Sequence, residues 1–223
     1  MKHNAMTLVC LFLLVTGNWS LAIAQAQKFH SEWNIGVNGG VTLSKMRFNP
    51  SVPQEFLPQY AGGISFRYIT EQNFGIQAEL NYSMRGWKEK TDTISFFNKY
   101  SRSLVYAELP LLTHLYFDMS KHTRFIINAG PQLGYYLSDT HEGTSNLVGE
   151  YNVEALKVKN KFDYGLLGGM GVELRTGIGK FVLEGRYYFG LSDVFDTKKT
   201  AEHDYLSASG NQVVGVKLTY YIK

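Results

Sequence analysis

The feature that most constrains this chain is a period-two alternation of apolar and polar side chains that recurs in eight segments: 33–45, 59–70, 74–87, 103–117, 124–138, 162–175, 181–192 and 212–222. Successive side chains on a β-strand point to opposite faces. Each segment therefore sorts into one apolar and one polar face. The third is the cleanest: Phe74, Ile76, Ala78, Leu80, Tyr82 and Met84 share one parity, and Gln77, Glu79, Asn81, Ser83 and Arg85 the other. Each segment is long enough for a tilted membrane strand of about 9–11 residues. The fourth places Val105, Ala107, Leu109, Leu111, Leu115 and Phe117 outward. Its Pro110 has no N–H and requires a bulge or a local loss of pairing.

Alternation alone also fits a soluble sandwich or a lipocalin-like barrel. Three features favour a membrane wall. The polar faces carry charges of both signs, including Arg175 and Lys217, which a soluble barrel would turn to water. Connector lengths alternate: 71–73, 118–123 and 176–180 are short, whereas 46–58, 88–102, 139–161 and 193–211 are long. Short periplasmic turns and long external loops are the outer-membrane arrangement. Finally, outward aromatics gather near strand ends. Trp33, Tyr68, Phe74, Phe117, Phe125, Phe181 and Tyr220 mark the short-turn end, and Tyr60, Tyr82, Tyr135, Phe162 and Phe189 lie nearer the long connectors. Rings concentrate where hydrocarbon meets headgroups. The expected fold is all-β: an eight-stranded antiparallel transmembrane up-and-down β-barrel. Closure is demanded because an open sheet edge leaves backbone groups unpaired in hydrocarbon.

Residues 1–26 read as a secretory signal peptide, and 27–223 as the barrel domain. Lys2 supplies the basic start, and the apolar run MTLVCLFLLV is too short to span a bilayer. Ala22, Ala24 and Ala26 have the spacing a signal peptidase reads, giving cleavage before Gln25 or Gln27. The single cysteine, Cys10, lies in this leader, so the mature part holds no disulfide framework. A formal net charge of +3, with no clustered Lys and Arg, argues against a nucleic-acid partner.

The inward charges admit a catalytic or ion-conducting reading. The alternative is an internal network of salt bridges filling a lumen too narrow for an open pore. Buried charges require partners, and acids and bases are about equal in number. That network is assigned to Arg67, Glu79, Arg85, Glu108, Arg124, Glu173, Glu184 and Arg186. No catalytic, cofactor-binding or metal site is expected. The histidines show no metal-ligand spacing. The turn Gly177-Ile-Gly179-Lys180 lacks the remaining residues of a phosphate-binding loop. The long connectors place His203-Asp204 and His141-Glu142 near Ser138, Ser192 and Ser207, which keeps a lipid-modifying hydrolase or acyltransferase as an alternative. Connector lysines, Lys88, Lys90, Lys157, Lys159, Lys161, Lys198 and Lys199, suit either lipopolysaccharide phosphates or plain solvent.

The segments Gly36-Val-Asn-Gly-Gly40-Val, Tyr106-Ala-Glu-Leu-Pro-Leu-Leu112, Gly165-Leu-Leu-Gly-Gly-Met-Gly-Val172-Glu and Gly215-Val-Lys-Leu-Thr-Tyr-Tyr-Ile-Lys223 give the chain a resemblance to the PorT-type outer-membrane β-barrel family. The likeness covers essentially the whole mature chain. It implies a small barrel in the cell outer membrane, without cofactor. The expected neighbours are outer-membrane lipid and lipopolysaccharide, and the expected partners, through the external loops, are envelope or secretion-system proteins; the namesake's link to a protein secretion system is not carried by the barrel motifs themselves. The leading expectation is a non-enzymatic structural or partner-binding role. The alternatives are the lipid-modifying enzyme, a secretion-system component, and a soluble periplasmic ligand-binding barrel.

Overall fold

The computed structural model describes residues 30–49, 51, 53–90, 100–142, 158–195 and 208–222. The leader, with Cys10 and both cleavage positions, falls outside them. Nine strands occur among the described residues: β1 (Glu32–Asn49), β2 (Gln54–Glu55), β3 (Leu57–Glu71), β4 (Phe74–Glu89), β5 (Ser101–Asp118), β6 (Thr123–Glu142), β7 (Phe162–Thr176), β8 (Gly179–Gly190) and β9 (Ala208–Ile222). Eight of them close on themselves in the order β4-β3-β1-β9-β8-β7-β6-β5, and β5 returns to β4. Two-residue β2 lies against the end of β4, pairing Gln54 with Glu89. Every pairing is antiparallel, and the first and last long strands meet through Val37↔Tyr220 and Val41↔Val216. The fold class is that expected.

The short connections are tight. Gln72 and Asn73 join β3 to β4, and Asn73 has φ 69° while its amide donates to the Tyr116 carbonyl at 2.7 Å. Asparagine tolerates that left-handed conformation better than most side chains. Gly177 and Ile178 form the turn between β7 and β8, so the Gly-Lys pair there is turn chemistry. Arg175 fastens the β5–β6 turn by donating to the Lys121 carbonyl at 2.8 Å.

Several strands run past the ends expected for them. β1 continues to Asn49 rather than Lys45, β6 to Glu142 rather than Ser138, and β9 begins at Ala208 rather than Gln212. His141 and Glu142 are therefore strand residues and not part of a loop. β8 differs the other way and stops at Gly190. On β1 the extension was hidden because the sense of the alternation inverts. Along β1, Trp33, Ile35, Val37, Val41 and Leu43 face outward and are exposed. Beyond Leu43 the outward positions are Lys45 and Arg47, and the buried ones are Met46 and Phe48. β4 repeats this, with Leu80 and Tyr82 outside but Trp87 buried.

Pro110 brings the expected loss of pairing. The β4–β5 ladder jumps from Ala78↔Leu111 to Asn81↔Glu108. The bulge lies elsewhere, between Val105 and Tyr106, where Leu137 of β6 has no opposite residue. Val105 corrects the outward assignment: at this shift it is only 7% exposed.

Inside, the barrel is layered. Ile69, Tyr116, Ile126, Val182 and Tyr221 pack at the short-turn end. Met46, Phe48, Trp87, Tyr100, Leu104, Tyr106, Val194 and Phe195 pack at the long-connector end. Trp87 meets Phe48 and Phe195 edge-on at 5.2 and 5.7 Å. Between these layers lie the charges.

Candidate functional site

The polar lumen is built from inward positions of the strands, which the pleat aims at the barrel axis. Nearest the short turns, Arg67 on β3 binds Glu173 on β7 at 2.5 Å and the Gln77 side-chain oxygen at 2.9 Å. Its guanidinium lies over the Tyr221 ring, 4.2 Å from the centroid. Arg124 reaches the same Glu173 at 3.6 Å and holds Asp118 at 2.8 Å.

Glu79 is the hub of the middle tier. Arg186 donates to both of its oxygens, at 2.8 and 2.6 Å, and Lys217 donates at 2.5 Å. Side-chain amides of Gln77 and Asn81 add bonds of 2.6 and 2.9 Å. Glu184 takes Arg186 at 2.9 Å and the Asn128 amide at 2.9 Å. Asn128 also holds buried His114 at 2.7 Å.

Arg85 centres the upper tier. It donates to Glu108 at 2.8 Å, is ion-paired with Asp163, and stacks over Tyr188 at 4.2 Å. Asp163 accepts further from Tyr188 at 3.0 Å, Asn211 at 3.2 Å, and the Ser192 hydroxyl. A cavity of about 60 Å³ remains between the tiers, lined in part by Asn81, Arg85, Gln132 and Lys217. At about 10–15 Å³ per water this admits a few waters and excludes an organic substrate.

All eight residues assigned to the lumen lie within it. Asp163 and Lys217, which the alternation also places on the inward face, were not assigned to the paired network but belong to it. With them the charges balance: Arg67, Arg85, Arg124, Arg186 and Lys217 face Glu79, Glu108, Asp163, Glu173 and Glu184. Also missing from that assignment were the amides Gln77, Asn81 and Asn128, which satisfy oxygens that the cations leave free. Their signal was the same parity, overlooked because they carry no charge.

Among the described residues, those of the hydrolase alternative are not brought together. Ser192 is buried and gives its hydroxyl to Asp163, not to a histidine. His141 lies at the far end of β6, with its ring 6.4 Å from Tyr100. His203, Asp204 and Ser207 fall outside the described residues. Of the connector lysines, Lys88 pairs with Glu55 at 3.2 Å. Lys157, Lys198 and Lys199 fall outside the description.

Residues 24–196 match the family model described as outer membrane protein beta-barrel domain. The chain belongs to that family. An outer-membrane barrel has its apolar face toward lipid and its ion pairs within, as the strands here do. Membership also supplies the address, the outer membrane.

Among solved structures, OprG from Pseudomonas aeruginosa is 12% identical with a TM-score of 0.48, over 86% of this chain and 97% of that one. Neisserial surface protein A is 11% identical, TM-score 0.44, over 86% and 99%. Ail of Yersinia pestis is 11% identical, TM-score 0.41, also over 86% and 99%. No curated protein matches this barrel in sequence.

Proposed function

We propose that this barrel is a non-enzymatic, non-conducting wall element of the outer membrane that acts by its outer and external surfaces. The observation that carries the reading is the filled lumen. Five cations and five acids pair across it, and the aromatic layer of Trp87, Phe48 and Phe195 closes the long-connector end. A conducting pore needs a continuous water path, which eight strands can provide only if their inward side chains are small. Here they are Arg, Glu, Tyr and Trp.

The chain reaches the membrane by export, with residues 1–26 removed as a signal peptide. Its finer placement is among PorT-type barrels, and the extended strand ends carry contacts to envelope or secretion-system proteins. The planar bilayer test is direct: purified barrel should give no stable conductance step. A long-lived open channel from the folded, heat-shiftable species would sink the reading. Lipid A acylation profiles with and without the gene should be identical, and a changed pattern would instead support the lipid-modifying enzyme. Crosslinked pull-down from envelopes tests the secretion assignment.

A further inference from the structure

Opposite residues around the closed sheet fix relative heights on its outer wall. From Leu43 on β1 the paired positions are Val214 on β9, Tyr187 on β8 and Gly168 on β7. The row continues through Ala129 on β6, Thr113 on β5 and Ile76 on β4. Tyr68 on β3 then leads back to β1 at Trp33, ten residues before Leu43. Spread over the eight strands of the closed ring, this stagger lowers the row by about 1.25 residues at each step. One residue along a strand tilted near 40° is about 2.6 Å of height.

On this scale the foot of the apolar wall is level. Leu174 on β7, Phe125 on β6 and Ile222 on β9 all stand within about one residue height of Trp33. The top is not level. β1 turns Lys45 outward about two residue heights above Leu43, and β9 turns Gln212 outward lower still, about one height above Leu43. At the height of Lys45 and slightly above it, β7 still turns out Phe162 and β6 still turns out Leu137, which are 72% and 48% exposed. Each ends an unbroken exposed row: Leu166, Tyr164 and Phe162 on one strand, Leu133, Tyr135 and Leu137 on the next. The apolar wall is therefore about 5 Å taller on the β6–β7 flank than on the β9–β1 flank. A tilt of the whole barrel does not account for this, because it would slant the foot as much as the top.

We propose that the β6–β7 flank is a lipid-binding surface that holds the acyl chains of the outer leaflet about 5 Å higher than the β9–β1 flank does. Hydrocarbon at one level all round would either strand Phe162 and Leu137 in water or bury Lys45 and Gln212. A stepped leaflet avoids both. It keeps the apolar surface covered, and local thickening of a bilayer over so short a distance costs little. The occupant is lipid because the two residues continue rows that already face it. Lipids with a longer acyl region meet the raised flank with less distortion, so the step favours them beside β6 and β7. This inference rests on the reading that the wall stands in the outer membrane with its long connectors outside.

The test uses the full chain with Cys10→Ser, folded into phosphatidylcholine vesicles. Each variant carries one nitroxide-labelled cysteine in place of Lys45, Leu133, Leu137, Phe162 or Gln212. Labels at 133, 137 and 162 should lose accessibility to a water-soluble nickel chelate, whereas labels at 45 and 212 should keep it. Leu137→Ser with Phe162→Ser should let the leaflet fall, so that a label replacing Tyr135 becomes open to the chelate. Chelate access at 137 and 162 equal to that at 212 would overturn the raised flank, as would a label at 135 that stays shielded in the Ser pair. Shielding that disappears when the protein is diluted in lipid would place a second copy on the flank and overturn the lipid assignment. Heat-dependent gel migration reads barrel formation for every variant. A label replacing Leu80 reads whether the wall stands in lipid at all, and an epitope inserted after Ser145 and detected on intact cells reads the orientation. Failure of either of those removes the underlying reading and not this step alone.

Discussion

Replacing Arg85 with Met is the sharpest test of the lumen network, because its consequence depends on which partner is left behind. Arg85 is 1% exposed and serves both Glu108 and Asp163. Breaking a buried pair by removing one partner costs about 3–5 kcal/mol, since the remaining charge is uncompensated. Asp163 keeps three donors, from Tyr188, Asn211 and Ser192. Its share of the cost is therefore small, and the penalty falls mainly on Glu108, whose side chain is 8% exposed. Loss of stacking on Tyr188 adds about 1 kcal/mol. We expect Arg85→Met to destabilise the barrel by roughly 3–4 kcal/mol. Adding Glu108→Gln removes the stranded charge, so the double variant should recover about 1–3 kcal/mol relative to Arg85→Met alone. Reversible urea unfolding in phospholipid vesicles, followed by tryptophan fluorescence and by gel heat shift, measures both. The reasoning is refuted if Arg85→Met costs less than about 1 kcal/mol, or if the double variant is no more stable than the single.

Depth along the wall should be readable by charge. Leu80→Arg, on the exposed apolar row, should cost about 2–4 kcal/mol, and Gln212→Arg, level with Lys45, about 1 kcal/mol or less, in the same urea assay. Equal costs would mean that the two positions share one environment. A Cβ added at Gly40 would come within 2.2 Å of the Val216 carbonyl oxygen, whereas one at Gly168 meets nothing within 4 Å. Gly40→Ala should then reduce the heat-shifted, folded fraction while Gly168→Ala leaves it unchanged, and the opposite ranking would contradict the β1–β9 register. Trp87→Ala should lower stability by about 3–5 kcal/mol yet still give no conductance, because the charged tiers below remain in place. A channel opened by this substitution alone would locate the seal in the aromatic layer and not in the ion pairs.

The barrel was legible because the bilayer imposes a strict rule on it. One parity must be apolar for the whole height of the hydrocarbon, and segments such as 74–84 obey it without exception. The network members were legible for the related reason that an Arg or Glu of the opposite parity has nowhere to go but the lumen. Their partners were not. The bond from Arg67 to Glu173 spans 106 residues and crosses the lumen from β3 to β7. Pattern along one strand says that Glu173 points inward, but only closure and shear decide which cation it meets. Ser192 shows the limit most clearly. It was read as the last polar-face residue of the segment 181–192 and as a neighbour of the connector histidines, yet β8 stops at Gly190, Leu191 and Ser192 turn over the barrel end, and the side chain drops onto Asp163.

The misplaced end of β1 has a cause that also explains the fold's two kinds of surface. The expected bound was drawn where apolar residues ceased to hold the outward parity. That is where lipid stops, but it is not where hydrogen bonding stops. Past Leu43 the wall stands in water, so the side chains that must be sheltered are those facing inward, and Met46 and Phe48 take over the apolar role while Lys45 and Arg47 turn out. Backbone pairing is indifferent to this exchange and carries on to Asn49↔Ala208. One strand is thus inside-out below Leu43 and conventional above it. The level of the exchange, visible on β1 between Leu43 and Lys45 and on β4 between Met84 and Trp87, marks the upper boundary of the hydrocarbon on the molecule itself. The aromatic layer beneath the long connectors follows from the same exchange: it is the core of the part that protrudes.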